Sequence, residues 1–333
     1  MVRYPNFGAA IVYGRKNRTF ERYRVPTSPY HRAERAGLRN MEQLETPDTT
    51  GSFEYQEIIA SGVAPYLDGI RWKTLLGELG RTMADPQPAA VARIFAAIPR
   101  LVGFSGSAGH VSLAGPLPGR NGMLLTVDHW TLPRLLRVWM LIQLPPIDRV
   151  SYTALIERLF RYGELEELVA LYSALPVFHY PDAWQARCTE GIRSNIGGVR
   201  EAVMTDNPYP AAYLTESEWN QLILKAFFTD ADIDRVVGLH ERNNARLAAA
   251  LIDYAYERHA AGRPIHPMLW QLATPFIDER AYALMQRIVA ERPDSAVLRV
   301  LVRAFDGSSY PPAKAFLKKN NTLIALLNTA DPL

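Results

Sequence analysis

Apolar residues recur at intervals of three and four along the sequence from Tyr55 onward, the spacing that places them on one face of an α-helix. One such stripe, at residues 75–79, ends where Asp85-Pro86 stops the helix, and proline and glycine interrupt the pattern at similar points further on. The strict alternation of a half-buried β-strand is missing, and no pair of strands is predicted. The chain is therefore predicted to be all-α.

The pattern divides into about a dozen helices of roughly 10–20 residues, and most of them are joined by short loops. Helices connected in this way pack on their neighbours in sequence, as they do in bundles and helical-repeat proteins. The sequence contains no repeat of fixed period, so any repeats are degenerate. We predict an irregular helical-repeat bundle of the α-solenoid or HEAT-like type.

Capping residues mark several helix boundaries. Thr131 and Asn244 are of the types preferred at N-caps, because their side-chain oxygens can accept a backbone N–H of the first turn. Thr215 followed by Glu218 forms a capping-box pattern. Ser151 is predicted to begin a further helix.

The longest predicted helix runs from about residue 182 to residue 204. Gly197 and Gly198 lie inside it, and each costs about 1 kcal/mol relative to alanine in a helix interior. Close helix packing or room for a ligand would offset that cost.

Basic residues are concentrated at the start of the sequence. Residues 1–40 contain nine Lys and Arg against two Glu, so 28 basic and 32 acidic residues remain of the 37 and 34 in the whole chain. Residues 1–52 lack helical periodicity and end in a linker-like run. We predict a disordered basic extension, or a wrongly assigned start with Met41 as the true first residue. Residues 53–330 are predicted to form a single all-helical domain.

The predicted location is cytoplasmic. No apolar stretch approaches the roughly 18 residues of a bilayer-spanning helix, and the first residues do not form a secretory signal. Cys188 is the only cysteine, so an intramolecular disulfide is impossible; it lies within a predicted helix as a small hydrophobe. The mildly acidic body of the chain argues against nucleic acid, and no nucleic-acid partner is expected.

Between residues 180 and 260 the polar residues fall into four clusters. These are Glu190, Arg193 and Asn195; Asp206, Asn207 and Tyr209; Trp219 and Asn220; and Glu241, Arg242, Asn244 and Asp253. Glu190 and Arg193 are spaced i,i+3 on the long helix and are predicted to pair. Asn207 and Tyr209 each precede a proline and are predicted to be extended.

Two interpretations of these clusters are open. In the first, they converge on one concave polar pocket for a hydroxylated or anionic small molecule, since the guanidinium groups of Arg193 and Arg242 match carboxylate or phosphate. In the second, they are helix caps, loop anchors and interhelix ion pairs, which are common roles for Asn, Asp and Arg in helical proteins. The residues by themselves do not decide between the two.

Patterns for catalysis and metal binding are absent from the sequence. His240, His259 and His266 lack the i,i+4 spacing that places two ligands on one helix face. His179 lies in a predicted loop and is expected to be solvated. Residues 103–123 are rich in glycine but lack the Gly-Lys-Ser/Thr of a phosphate loop, and we predict a flexible surface connection. We expect no catalytic residue, no metal ion and no cofactor.

Several runs of the sequence resemble the EboA-domain family. They are LVALYSALPVFHYPDAWQARCTEGIRSNIGGVREAVMTDNPYPAAYL, EWNQLILKAFF, RVVGLHERNNARLAAALIDYAYERHAAGRP and the tryptophan of MLWQL, Trp270. The resemblance covers about residues 130–276, and residues 1–50 have no counterpart in it. Matching motif positions are Glu190, Arg193, Asn195, Asp206, Asn207, Pro208, Tyr209, Pro210, Trp219, Asn220, Lys225, Asn244, Asp253 and Arg258.

The resemblance implies a gene cluster concerned with handling or export of secondary metabolites. Its companion proteins resemble a prenyltransferase-like membrane protein, a TatD-like hydrolase, a dehydroquinate-synthase-like enzyme, a sugar-isomerase-like barrel and a phosphodiesterase-like protein. The partners that it implies are a small-molecule metabolite and these companions, the prenyltransferase-like membrane protein included. It implies a metabolic context and carries over no catalytic residue.

Three functions remain in competition. The leading hypothesis is a non-enzymatic helical adaptor or carrier in secondary-metabolite processing and traffic. The first alternative is an enzyme of unknown type that acts on a hydroxylated or anionic small molecule and takes its acid or base from Glu190, Asp206, Glu241 or Asp253. The second is a module that binds RNA or a membrane surface through the basic N-terminal arm, and deleting residues 1–40 would then abolish its function.

Overall fold

The computed structural model describes residues 58–63, 65–103, 110–291 and 293–325. Most of these residues are helical, so the predicted all-α class is confirmed. The predicted basic extension of residues 1–52 lies outside the described residues.

Residues 58–63 are helical and precede fifteen further helices in the part of the chain that is described. The first half comprises α1 (Gly69–Ala84), α2 (Pro88–Leu101), α3 (Leu132–Ile142), α4 (Arg149–Tyr162), α5 (Leu165–Ser173), α6 (Gln185–Arg193), α7 (Gly197–Met204) and α8 (Tyr209–Tyr213). The second half comprises α9 (Glu216–Phe228), α10 (Ala245–Ala260), α11 (Pro267–Ala273), α12 (Glu279–Ala290), α13 (Ser295–Gly307), α14 (Pro311–Lys319) and α15 (Asn321–Ile324). Short 3-10 turns join several of them.

Three predicted N-caps are confirmed. The side chain of Thr131 accepts the backbone N–H of Arg134, and that of Asn244 accepts the backbone N–H of Leu247. Thr215 and Glu218 form the full capping box at the start of α9. The predicted start of α4 at Ser151 is wrong, since the helix begins two residues earlier at Arg149 and Asp148 is its cap.

The predicted long helix over residues 182–204 is wrong, because the structure divides it into α6 and α7. Ser194 and Ile196 have non-helical backbone angles, and the Ser194 hydroxyl accepts the N–H of Ile196. Serine competes with the helix ladder in this way because its short side chain reaches nearby backbone groups. Gly197 and Gly198 therefore begin α7 and do not lie in a helix interior.

A short antiparallel pair, β1 (Leu117–Pro118) and β2 (Leu124–Leu125), corrects the prediction that the chain has no paired strands. Two-residue strands are too short to leave an alternating pattern in the sequence. Leu117 and Leu125 are buried. The described part of the segment predicted as a flexible surface connection is therefore partly packed on the core, while residues 104–109 lie outside the described residues.

A continuous apolar core runs through the described residues from Ile59 to Leu317. Contacts between helices connect its parts in the order α1–α2–α3–α5–α7–α6–α9–α10–α11–α13–α14. Four tryptophans, Trp139, Trp184, Trp219 and Trp270, are among its largest fully buried side chains. Cys188, predicted to be a small hydrophobe within a helix, lies in α6 and is buried.

Arg137 is a charged residue at the centre of this core. Its side chain is on α3 and only 4% of the residue is exposed. Nε donates to the backbone carbonyl of Phe95 on α2 at 3.0 Å, and Nη2 lies 3.5 Å from Oε1 of Glu167 on α5. Burial lowers the pKa of Arg137, and the carboxylate of Glu167 partly offsets that effect. One guanidinium thus links three helices.

His179 is not the solvated loop histidine that the sequence predicts. Its Nε2 lies 2.8 Å from Nη2 of Arg120, and its ring packs edge-on against Tyr152 at 5.1 Å between centroids. Burial, with the nearby charge of Arg120, lowers the pKa of His179 to about 4. The ring is therefore neutral at physiological pH.

No helix in the described ranges is both long and apolar enough to cross a membrane.

Removing Arg137 tests its role as the link between helices. Arg137→Ala leaves Glu167 without its cation and the Phe95 carbonyl without the Arg137 donor, and we expect a loss of about 3–5 kcal/mol in the free energy of unfolding. Arg137→Met keeps most of the volume and is expected to lose less. The measurement is urea denaturation, with the exposed Arg287→Ala on α12 as the control. A cost for Arg137→Ala no larger than that of the control would contradict the assignment.

The depressed pKa of His179 predicts a dependence of stability on pH. Below about pH 6.5 the unfolded chain binds a proton at this residue, while the folded chain does so only near pH 4. The unfolded state binds more protons in this window, so stability falls as the pH falls through it. Because His179 is only partly buried, solvent screening reduces its contribution, and we expect it to account for about 1–2 kcal/mol of that loss. Urea denaturation between pH 7 and pH 4 should show a shallower slope for His179→Gln, and parallel slopes would refute the prediction.

Candidate functional site

A cleft of about 520 Å³ opens where the turn between α6 and α7 faces α4 and α5. We call it the α6–α7 cleft. Of the twelve candidate residues from the sequence, Glu190, Arg193 and Asn195 line it. The break between α6 and α7 places Asn195 at its edge, because the chain turns there instead of continuing as one helix.

The floor of the cleft is apolar. Phe160 of α4 and Tyr172 of α5 meet edge to face, with 5.0 Å between ring centroids and an angle of 67°. Leu168, Ile196 and Val199 complete the apolar lining. Such a surface suits the ring or hydrocarbon part of a ligand, since aromatic edges and faces pack well on one another.

Arg187 is the central charged residue of the rim. It forms ion pairs with Glu157 of α4 and with Glu190, whose Oε2 lies 2.6 Å from its Nη1. The guanidinium also lies 4.8 Å from the ring centroid of Phe160. The hydrogen bond with Glu157, helped by the charge of Glu190, raises the pKa of Arg187. The predicted pairing of Glu190 with Arg193 is wrong, because Glu190 pairs with Arg187 instead.

Tyr172 contributes a neutral hydroxyl to the cleft. Burial, with the charge of Glu190 as a second cause, raises its pKa to about 12. The group therefore stays protonated at physiological pH and can donate or accept a hydrogen bond.

Arg193 and Asn195 are exposed, and they lie at the end of α6 and in the turn that follows it. Arg193 interacts electrostatically with the carboxyl of Glu218 on α9 and helps to lower its pKa. Burial raises the pKa of that carboxyl, but hydrogen bonds from Thr215 and Gln185, together with Arg193, outweigh burial and lower it. Arg193 is the last residue of α6, one turn after Glu190 and six residues after Arg187.

The second cluster holds the chain after α7 in place. Asp206 forms an ion pair with Arg235. Asn207, 2% exposed, donates to the carbonyls of Tyr172 and Ala202 and accepts the N–H of Tyr209.

Tyr209 is also structural. It begins the short helix α8, which corrects the prediction that it is extended. Its hydroxyl donates to the carbonyl of Pro181 at 2.5 Å, and burial raises its pKa.

The third cluster joins α9 to α10. Asn220 and Asn244 exchange side-chain hydrogen bonds of 3.2 and 2.9 Å. Trp219 is fully buried beneath Arg242, whose guanidinium lies 5.0 Å from the Trp219 ring. Arg242 also donates to the backbone carbonyls of Pro210 and Ala211.

The last two candidates lie on the surface. Glu241 is exposed, and Asp253, with 57% of its side chain exposed, pairs with Arg280. The α6–α7 cleft therefore contains residues of the first cluster alone, and the members of the other clusters have these separate contacts.

The aromatic and basic residues of the cleft were not predicted from the sequence. Tyr172 and Leu168 carry the helical spacing of core residues, so their pattern does not distinguish a cleft floor from a core. Arg187 could have been found, because it lies three residues before Glu190 on the same helix. A larger cleft of about 760 Å³ between the α1–α2 turn and α4 was also missed, and it contains no candidate residue.

The described part of the chain contains no group of three or more His, Cys, Asp or Glu side chains that could hold a metal ion.

The part of the chain that contains this site matches a known protein family. Residues 123–274 match the family described as metabolite traffic protein EboA. This part of the chain, a little under half of its length, is therefore similar to the EboA family. The match confirms the resemblance seen in the sequence, and every residue of the α6–α7 cleft falls within it. No curated protein and no solved structure gives a significant match.

Close helix packing, which was one expectation for Gly197 and Gly198, occurs at Gly191 instead. A Cβ at Gly191 would lie 2.6 Å from Cγ2 of Val203 and 2.7 Å from Cε1 of Tyr172, whereas one at Gly197 would meet nothing within 4 Å. We expect Gly191→Ala to displace the Tyr172 ring and cost about 1–3 kcal/mol. Gly197→Ala should be neutral or stabilising by up to about 1 kcal/mol.

Thermal denaturation of the two variants measures this difference, and each serves as the other's control. Equal melting temperatures would show that Gly191 does not set the approach of α6 to α5.

Proposed function

We propose that this protein is a non-enzymatic carrier that binds a small metabolite in the α6–α7 cleft during metabolite processing and traffic. One observation carries the proposal: an aromatic floor lies beneath a charged rim within the segment that matches the EboA family. The family description supports a role in metabolite handling at a coarse level.

The dimensions of the cleft support a small molecule as the cargo. Its volume of about 520 Å³ is within the range of about 300–1,000 Å³ that is usual for small-molecule sites. Phe160 and Tyr172 would contact the apolar part of the ligand, and Arg193 and Asn195 its polar part.

The state of the carboxylates favours binding over catalysis. A general acid or base needs a proton-exchanging group free to reach the substrate. Glu190 is held by Arg187, Asp206 by Arg235 and Asp253 by Arg280. Glu241 is exposed outside the cleft. The enzyme alternative therefore has no carboxylate that is both in the cleft and unpaired among the described residues.

The proposal also covers the cellular location of the carrier, its partners and the arrangement of its helices. A carrier of this kind would work in the cytoplasm and exchange its metabolite with companion proteins, among them the prenyltransferase-like membrane protein. The order of helix contacts, in which each helix packs on a near neighbour in sequence, supports an irregular solenoid.

Filling the cleft tests the proposal. Ala186 lies on the cleft side of α6 and is exposed, so Ala186→Trp would place an indole in the binding volume without removing a contact. The full-length protein, purified gently from its own cells, should retain a small molecule in native mass spectrometry. We expect Ala186→Trp to lose that molecule because the indole occupies its volume, and to keep its melting temperature.

The matched control is Ala283→Trp, at an exposed position on α12 outside the cleft, which should retain the molecule. Retention by Ala186→Trp, or an empty wild-type chain that is isolated with a companion protein instead, would refute the carrier proposal.

A further inference from the structure

We infer that the ligand of the α6–α7 cleft has an apolar ring or hydrocarbon body and a single acidic group, bound with the acid at Arg193. The inference rests on the proposed carrier function and names the chemical class of its cargo. The inference is based on the uneven distribution of charge around the cleft.

At one end of the cleft, a single arginine already holds both nearby carboxylates. Nε of Arg187 lies 2.9 Å from Oε1 of Glu157, and its Nη1 lies 2.6 Å from Oε2 of Glu190. The three groups together carry a net charge of −1 at neutral pH. Arg187 has therefore committed its donors to protein carboxylates, and this end repels an acidic ligand group.

Around the C-terminal end of α6 there are two arginines, Arg193 and Arg200. Arg193 lines the cleft, and no described carboxylate lies within 4 Å of its guanidinium. Arg200 is close by, with its Nη1 donating to the carbonyl of Ser194 at 3.0 Å. Arg193 contributes to the lowered pKa of Glu218, whose carboxylate also accepts a hydrogen bond from Gln185. An acidic group is thus attracted to Arg193, whereas Arg187 is already occupied by two carboxylates.

The guanidinium of Arg193 suits a carboxylate, phosphate or sulfonate, because its planar set of N–H donors can make two parallel hydrogen bonds to their oxygens. The apolar floor beneath it takes the rest of the ligand. The neutral hydroxyl of Tyr172 lies towards the Arg187 end and can bond an uncharged polar group there. A second acid on the ligand would meet Glu190 and weaken binding.

Two fluorescent probes that differ by one acid test the inference on the full-length chain. Anilinonaphthalene sulfonate has two apolar ring systems and one sulfonate, and phenylnaphthylamine has the same rings without the acid. We expect the sulfonate probe to bind about fivefold more tightly, which equals about 1 kcal/mol. Arg193→Gln should remove that advantage and leave the affinity for the neutral probe unchanged. Added salt should reduce the advantage as well, since the rim is exposed.

Two further variants separate the possible failures. Arg287→Gln, on exposed α12, should change neither affinity, and Ala186→Trp should weaken both because it fills the cleft. Equal binding of the two probes, or an equal loss of both in Arg193→Gln, would overturn the acidic-ligand inference while the carrier cleft stands. Binding of neither probe, or binding that Ala186→Trp does not affect, would overturn the carrier cleft and the inference with it.

Discussion

The guanidinium of Arg137 is the constraint on which the packing of the EboA-family segment depends. Helix α3 is buried along almost its whole length, so a charge on it must find its partners inside the protein. Those partners are the carbonyl of Phe95 and the carboxylate of Glu167, which belong to α2 and α5. Because each must be within reach of the same side chain, the positions of three helices are set together. Helix α5 then forms one wall of the α6–α7 cleft.

The cleft follows from two local features on the other side of α5. Gly191 has no side chain, so α6 approaches Tyr172 and Val203 more closely than any other residue would permit. Three residues later the chain leaves the helix at Ser194 and starts α7 at Gly197. Close approach brings the aromatic floor under α6, and the break leaves a gap above it. A binding surface therefore arises between helices that are otherwise packed as a core.

Local signals in the sequence were reliable where the interaction itself is local. The caps at Thr131, Thr215 and Asn244 were predicted because each joins residues three apart. The break at Ser194 was missed, since one serine and two glycines barely disturb the apolar spacing of residues 182–204. The β1–β2 pair was missed because two residues show no period. In the site, polar residues on one helix were found, whereas apolar floor residues were indistinguishable from core residues.

The sequence by itself determined the all-α class, most helix positions and the resemblance to the EboA family, because helical periodicity, capping and family motifs are read from nearby residues. Only the tertiary structure decided what the polar residues do. Arg187 pairs with Glu157 thirty positions away, and Asp206 with Arg235 at a separation of 29. Ion pairs of this kind depend on how helices are placed in space, and spacing along one helix carries no information about them. Glu190 was assigned the wrong arginine because Arg187 and Arg193 lie three residues before and after it, so the spacing along α6 fits both. Arg193 could be recognised as the cation without a carboxylate partner among the described residues only after the partners of Arg187 were known.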